Sequence, residues 1–365
     1  MNKIVSLFTM MLLTAFSATA LEFTMSGEIR TGFYTDRISD QSGKRSESSI
    51  HNNAGGSRTW LNLNLEAENF GMRTRYSQGE WGPRAKLNTD FIYAYSMLME
   101  NQLKVSAGML GESPWGADGP DLWRHVDNQI GIRFEWMPNF IPGLNVGFVL
   151  NRYNAIHRNP RRTETWYDIL MDSVLGIAYD HDFFAFRFSW RLDSLRDQDF
   201  IGDEGHEFVY HAEERILDSF LPGLQISANG YYRGLNSAIL EREFFDNYFY
   251  VRYKRDVFSV YLNSRLFTDI RSDNSKLLIK PGFYYGLFDG FLDIGFAAGI
   301  EKGFKEAAAY LNSFYNFWFV EPNVRMNITD NSYINVVYNY TKTYVCRAGN
   351  TSDVNWLNIR VGFAF

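Results

Sequence analysis

Apolar and polar residues alternate one by one along most of this chain. From 182 to 193, Phe184, Phe186, Phe188, Trp190 and Leu192 alternate with Ala185, Arg187, Ser189, Arg191 and Asp193. Within 128–137, Ile130, Ile132, Phe134 and Trp136 alternate with Gln129, Gly131, Arg133 and Glu135. The same pattern sets Leu61, Leu63 and Leu65 against Asn62, Asn64 and Glu66. It also sets Phe258, Val260, Leu262 and Leu266 against Ser259, Tyr261, Asn263 and Arg265. Period two is the signature of a β-strand, whose successive side chains leave opposite faces. The chain closes in this way too. Leu357, Ile359, Val361, Phe363 and Phe365 are apolar, with Trp356, Asn358, Arg360, Gly362 and Ala364 between them. One greasy and one wet face per strand is what a closed sheet in lipid needs. The alternative is a soluble β-sandwich.

Connection lengths separate the two. Tight turns are expected at Phe70-Gly71, Glu100-Asn101, Asp180-His181-Asp182, Lys254-Arg255-Asp256, Asp289-Gly290 and Asp330-Asn331. Longer polar segments, 37–56, 112–127, 152–166, 194–203, 234–243 and 343–353, lie between them. Short turns on one rim and long loops on the other fit a membrane barrel, whereas a sandwich has short loops at both ends. Asn139-Phe140-Ile141-Pro142-Gly143-Leu144 returns as Ser219-Phe220-Leu221-Pro222-Gly223-Leu224, and both fall where a short-rim turn is expected. The expected fold is all-β: a transmembrane antiparallel up-and-down β-barrel of about 18 strands, with 16 still open. The expected strands include 168–180 and 308–328. In the latter the outward set switches parity around Pro322, from Phe317 and Phe319 to Val324, Met326 and Ile328, which predicts a bulge.

The final strand resembles the C-terminal assembly signal of bacterial outer-membrane barrels. Phe365 is the terminal aromatic, Phe363 stands two before it, and Asn358 is the polar residue further back. Family members often carry glycine where this chain has Arg360. The resemblance implies recognition of Phe363 and Phe365 by the barrel-assembly machinery, with outer-membrane lipid around the barrel. The other end agrees. Lys3, an apolar run from Ile4 to Phe16 and Ser17-Ala18-Thr19-Ala20 form a secretory signal pattern, cut after Ala20. Residues 1–20 are thus expected to be a signal peptide and 21–365 one barrel, without an N-terminal plug.

Composition narrows the picture further. Aromatics make up 17% of the chain, yet its mean hydropathy is negative. A barrel with aromatic girdles and a polar interior reconciles the two. The net charge of −6 shows no basic block, and with export it excludes a nucleic-acid partner. Cys346 is the sole cysteine, so no intramolecular disulfide exists. The His residues show no HExxH spacing, and no GxSxG elbow occurs, so neither an enzyme nor a metal site is expected. Glu204, His206 and Glu207 read as solvated loop charge. No cofactor is implied, and the oligomeric state, a trimer included, is left open.

The chemistry therefore lies on the wet face. Arg73, Arg75, Arg133, Arg187, Arg191, Arg252 and Arg265 are the expected pore-lining residues, joined by Lys104, Lys280, Arg325 and Arg360. Glu66, Glu68, Glu135, Asp172, Glu213, Asp293 and Glu301 point inward with them. Charges at membrane depth are tolerable only facing water or each other. Most of these pairs are expected to knit the wall, while a few line a passage. The segment 112–127 is the third long connection. It carries Glu112, Trp115, Asp118, Asp121 and Trp123. In the general porins, which this chain resembles in architecture, the third such loop folds into the lumen. That resemblance implies a constriction loop whose acids face Arg73 and Arg75; the alternative is an ordinary surface loop. The expected function is passive diffusion of small hydrophilic solutes. The alternative is a surface-exposed binding or adhesion barrel with a largely closed lumen.

Overall fold

One antiparallel sheet runs through nearly the whole chain and closes on itself. The computed structural model describes residues 21–40, 43–50, 58–78, 87–111, 113–118, 123–124, 130–151, 173–194, 204–235, 243–270, 274–304, 315–345 and 350–365. The first strands are β1 (Glu22–Asp40), β2 (Gly43–Ile50), β3 (Arg58–Ala67), β4 (Phe70–Gln78), β5 (Asn88–Leu98) and β6 (Leu103–Met109). Two short strands, β7 (Ala117–Asp118) and β8 (Trp123–Arg124), pair apart from the main sheet. The wall continues through β9 (Ile130–Trp136), β10 (Leu144–Asn151), β11 (Val174–Asp180), β12 (Phe184–Ser194), β13 (Glu204–Glu214), β14 (Leu224–Leu235) and β15 (Phe244–Arg255). It ends with β16 (Phe258–Asp269), β17 (Asn274–Leu287), β18 (Leu292–Gly303), β19 (Tyr315–Thr329), β20 (Ser332–Val345) and β21 (Asn350–Ala364). Both β2 and β3 pair with β1, at its upper and lower halves, so together they fill one position. The result is a closed barrel of 18 strands, which removes the 16-stranded alternative.

Side-chain parity divides lipid from lumen. Ile132 is 43% exposed on the outer face, while its neighbour Arg133 is 1% exposed on the inner one. Phe184 and Phe186 on β12, Phe258, Val260 and Leu262 on β16, and Val324, Met326 and Ile328 on β19 are all exposed outward. In water that array would be unstable; against hydrocarbon it is the correct surface. The inner face carries aromatic rings that lie down over glycines of the next strand. A Cβ on Gly282 would fall 2.3 Å from Tyr261 Cζ, and one on Gly362 2.4 Å from Tyr333 Cζ. Each ring thus fills the space of a missing side chain.

The repeated hexapeptides make the same turn. Gly143 and Gly223 have φ of +84° and +92°, values that favour glycine. Asp180 N donates to Gly143 O at 3.0 Å, and Lys254 N to Gly223 O at 2.9 Å. Both sit on the short-turn rim, as does a one-turn helix at Ile216–Phe220.

Several expectations need correction. Part of the polar segment 37–56 is not loop: β1 continues to Asp40 and turns into β2, with Asp36 opposite Glu47 and Asp40 opposite Gly43. Most of 343–353 is strand as well, since β20 reaches Val345 and β21 starts at Asn350. These strands outrun their apolar stretch, so hydrophobic alternation could not mark their ends. The first tight turn falls at Glu68-Asn69, with Phe70 and Gly71 already in β4. Glu68 is consequently exposed in that turn instead of pointing inward. No bulge occurs at Pro322. The ladder of β19 to β20 skips Glu321 and Pro322 and resumes in the same register, its one shift lying between Asn327 and Thr329. Proline removes a hydrogen bond there without adding a residue. Phe317 and Phe319 share the inner parity of Glu321. Phe319 lies over Gly299 and only 5.7 Å from the Lys280 ammonium. Asp172, the 168–172 part of an expected strand, and Cys346 lie outside the described residues.

This parity makes Phe186→Arg costly, because the new charge would face hydrocarbon. The expected loss is about 2–4 kcal/mol if the site lies near the bilayer midplane. Folding free energies of parent and variant in lipid vesicles measure it, and equal values would contradict the outward placement.

Candidate pore and constriction

The segment after β6 turns into the barrel. Leu110 is fully buried, and Gly111 lies under Phe91, where a Cβ would come within 2.7 Å of the ring. Ser113 then shapes a tight bend: Trp115 N donates to Ser113 Oγ at 3.2 Å and Gly116 N to Ser113 O at 3.4 Å. Ala117 pairs with Arg124, and Asp118 with Trp123, to form the β7–β8 ribbon.

Trp115 is 0% exposed and lies on two glycines of the wall. A Cβ on Gly176 would stand 1.9 Å from Trp115 Cδ2, and one on Gly147 2.8 Å from Cζ2. Both glycines face inward, because their neighbours Phe148, Leu175 and Ile177 are exposed on the outside. The indole Nε1 donates to Asn145 Oδ1 at 2.9 Å. Asn145 Nδ2 in turn donates to Glu135 Oε2 at 3.2 Å. Past this seat, Ala117 packs with Val149, Val174, Val209 and Tyr231, and β7 runs against β13 and β14. The segment therefore crosses the inner face of the wall from β10 to β14.

Behind it the charges are neutralised pairwise. Arg133 Nε donates to Glu135 Oε1 at 2.8 Å, with Lys104 Nζ 3.8 Å from the same oxygen. Both members of the Arg133–Glu135 pair are almost fully buried, and removing one partner of such a pair costs about 3–5 kcal/mol. Arg191 pairs with the fully buried Glu207. Arg265 grips Asp246 in a two-pronged contact, 2.8 Å from Nε to Oδ1 and 2.6 Å from NH2 to Oδ2.

The seven expected pore-lining arginines thus divide. Arg133, Arg191 and Arg265 knit the wall. Arg73 is half-exposed, donates to Glu66 at 2.9 Å and, with Lys104 and Arg187, lines a recess of about 410 Å³ beside Ser113 and Pro114. Arg75 donates to Asn62 at 2.8 Å and sits over Phe91. Arg252 lines a separate recess on β15–β17. Of the loop residues, Trp115 is placed in full, and Asp118 and Trp123 by their backbone pairing. Glu112 and Asp121 lie outside the described residues.

Glu207 corrects the solvated reading of Glu204, His206 and Glu207. It stands inside β13 and is buried against Arg191. The seat itself, Gly147, Gly176 and Asn145, is not among the expected site residues. One signal was present. Val174-Leu175-Gly176-Ile177-Ala178 is apolar or small on both faces, which means that something covers the inner one.

An antiparallel barrel with an apolar exterior, short turns on one rim and a connecting segment packed against its inner wall belongs to the outer-membrane porin class of folds. No family model matches the sequence, and no curated protein is detectably similar to it. Solved structures share the fold. OpdQ of Pseudomonas aeruginosa superposes over 94% of this chain and 97% of its own, at 10% identity and a TM-score of 0.55. A BenF-like porin from Pseudomonas fluorescens Pf-5 covers 94% and 99%, at 12% identity and 0.54. The outer membrane channel DcaP of Acinetobacter baumannii covers 95% and 98%, at 10% identity and 0.51.

Gly176→Val should unseat Trp115, since the seat has no room for even one added carbon. Loss of that burial would cost about 3–5 kcal/mol, the range for truncating a buried Trp or Phe. Trp115 fluorescence will not stand alone against the eight other tryptophans. Quenching by acrylamide should therefore be compared in Gly176→Val and in Gly176→Val/Trp115→Phe; no difference between them would contradict the seat.

Proposed function

We propose that this chain is a porin-like channel of the bacterial outer membrane, passing small hydrophilic solutes by passive diffusion through a water-filled lumen. The observation that most supports this reading is the segment 113–118 lying across the inner wall from β10 to β14. It narrows the bore from one side. On the other side the wall keeps a polar recess of about 520 Å³, lined by Asp293, Glu321, Arg325 and Arg360 among others. A wall of 18 strands is wide enough to hold water around such a segment. In this reading Trp115 anchors the constriction, Trp123 belongs to the same segment, and Glu112, Asp118 and Asp121 give that segment its negative charge. If these acids oppose the cations Arg73, Lys104 and Arg187 of the recess, they set up a transverse field that orders water and favours small polar solutes. The channel needs no cofactor, metal or catalytic group.

Residues 1–20 act as the export signal, and the barrel-assembly machinery reads Phe363 and Phe365. Both aromatics are on the outer face, with Ile29 opposite Phe363, and half-exposed.

Conductance of the purified, refolded protein in planar bilayers tests the channel. A correctly folded barrel that carries no current would favour a closed-lumen binding barrel instead. Deleting 114–124 should raise the single-channel conductance. Replacing Asp118 and Asp121 by Asn should shift the reversal potential towards anion preference, because the cations around the recess would then be less opposed. If both variants conduct and select like the parent, the segment does not set the pore.

Removing Phe365 should lower the amount of heat-modifiable barrel recovered from outer membranes while export continues. Normal recovery of the truncated chain would argue that assembly does not depend on this aromatic.

A further inference from the structure

We propose a binding site for small oxyanions, such as a carboxylate or phosphate, on the inner wall at Arg252, Lys280 and the stack of Tyr250, Tyr261 and Tyr284. As a statement about solute class it rests on the channel reading; as a binding site it stands alone.

The residues come from three neighbouring strands and share the inner parity. Arg252 is opposite Tyr261, which is opposite Gly282, and the next row holds Tyr250, Asn263 and Lys280. Because Gly282 has no side chain, the Tyr261 ring drops onto the sheet. It stacks on Tyr284 at 5.7 Å between centroids and tilts against Tyr250 at 6.3 Å. Together with Ser259 and Asn263 these groups line a recess of about 210 Å³. That volume suits a few heavy atoms.

Charge balance sets this recess apart. Arg73, Arg133, Arg191 and Arg265 each meet a carboxylate. Arg252 forms no ion pair among the described residues, and its Nε is buried without an acceptor. Among the described residues no carboxylate lines the recess. Lys280 makes one long ion pair among the described residues, to Glu321 on β19 at 3.9 Å, and Asn339 also donates to that carboxylate. A half-buried guanidinium without a counter-ion is costly. An anion from solution relieves it, and the planar fork of arginine matches two oxygens at once. The ammonium, the tyrosine hydroxyls, Ser259 and the Asn263 amide supply further donors around the same space.

Equilibrium binding to the folded full-length barrel in detergent, near neutral pH and at low salt, tests the site. Sodium acetate and inorganic phosphate are titrated separately, by calorimetry and by near-ultraviolet absorbance of the tyrosines. Saturable binding by the parent is expected, weakened about tenfold or more in Arg252→Gln/Lys280→Gln and by less in Arg252→Lys, which keeps the charge but loses the fork. The relative strength of the two titrations identifies which oxyanion the recess prefers. Heat-modifiable migration verifies that the variants are folded. Absence of saturable binding by the parent, or equal binding by the double variant, overturns the proposal. A parent that binds in detergent yet carries no current in bilayers would sink the channel reading and leave the site standing.

Discussion

A backbone amide in hydrocarbon has no water to bond to, so a sheet that crosses a membrane can have no free edge. In this molecule that constraint is met where β1 meets β21. Their ladder runs from Glu28 opposite Ala364 to Ser39 opposite Asp353. Beyond it Gly27 and Phe365 exchange both hydrogen bonds, at 2.9 and 3.0 Å. Gly27 is glycine for reasons of space: a Cβ there would stand 2.6 Å from both Phe365 Cζ and Trp60 O. Once the ring of strands is closed, every side chain has only two destinations. Parity along each strand then decides which residues meet lipid and which meet each other.

The inner face holds two chemistries side by side. Where β10 to β14 are covered by the segment after β6, the wall is small and apolar at Gly147, Val149, Val174, Gly176 and Val209, and the charges beside it are buried in pairs. Elsewhere it is polar and aromatic. A buried arginine–glutamate pair contributes little net stability, because desolvation offsets most of the attraction. What it adds is geometry. Glu135 joins Arg133, Lys104 and Asn145, and through Asn145 it reaches the Trp115 indole. The position of the covering segment is thereby tied to the wall by directional contacts as well as by packing.

Much of this was legible in the sequence. The alternation of Phe184 to Leu192 or of Phe258 to Leu266 is forced by lipid on one side and water on the other, so it survives as a local pattern. What escaped depends on neighbours distant in sequence. Phe319 looked like a change of parity because an aromatic on a wet face is unexpected, yet Gly299 on the adjacent strand gives it a bed. Glu207 looked solvated until β12 brought Arg191 against it. The seat of Trp115 needed both the register of β10 with β11 and the path of a segment that has no alternation of its own. In each case the missing information was a cross-strand partner, which period-two reasoning does not supply.

The upward run of β1 has a mechanical consequence. Its 19 residues, at about 3.3 Å each, extend far beyond an apolar band about 25 Å tall, even with a tilt of about 40°. Its upper half is flanked by β2 on one side and by β21 and β20 on the other. On the side away from the short turns, the molecule therefore carries a hydrogen-bonded blade that presents Asp36, Arg37, Lys44, Arg45 and Glu47 at fixed spacing. A macromolecule landing there meets a stiff relief, so it must fit a shape already made and gains nothing from remodelling it.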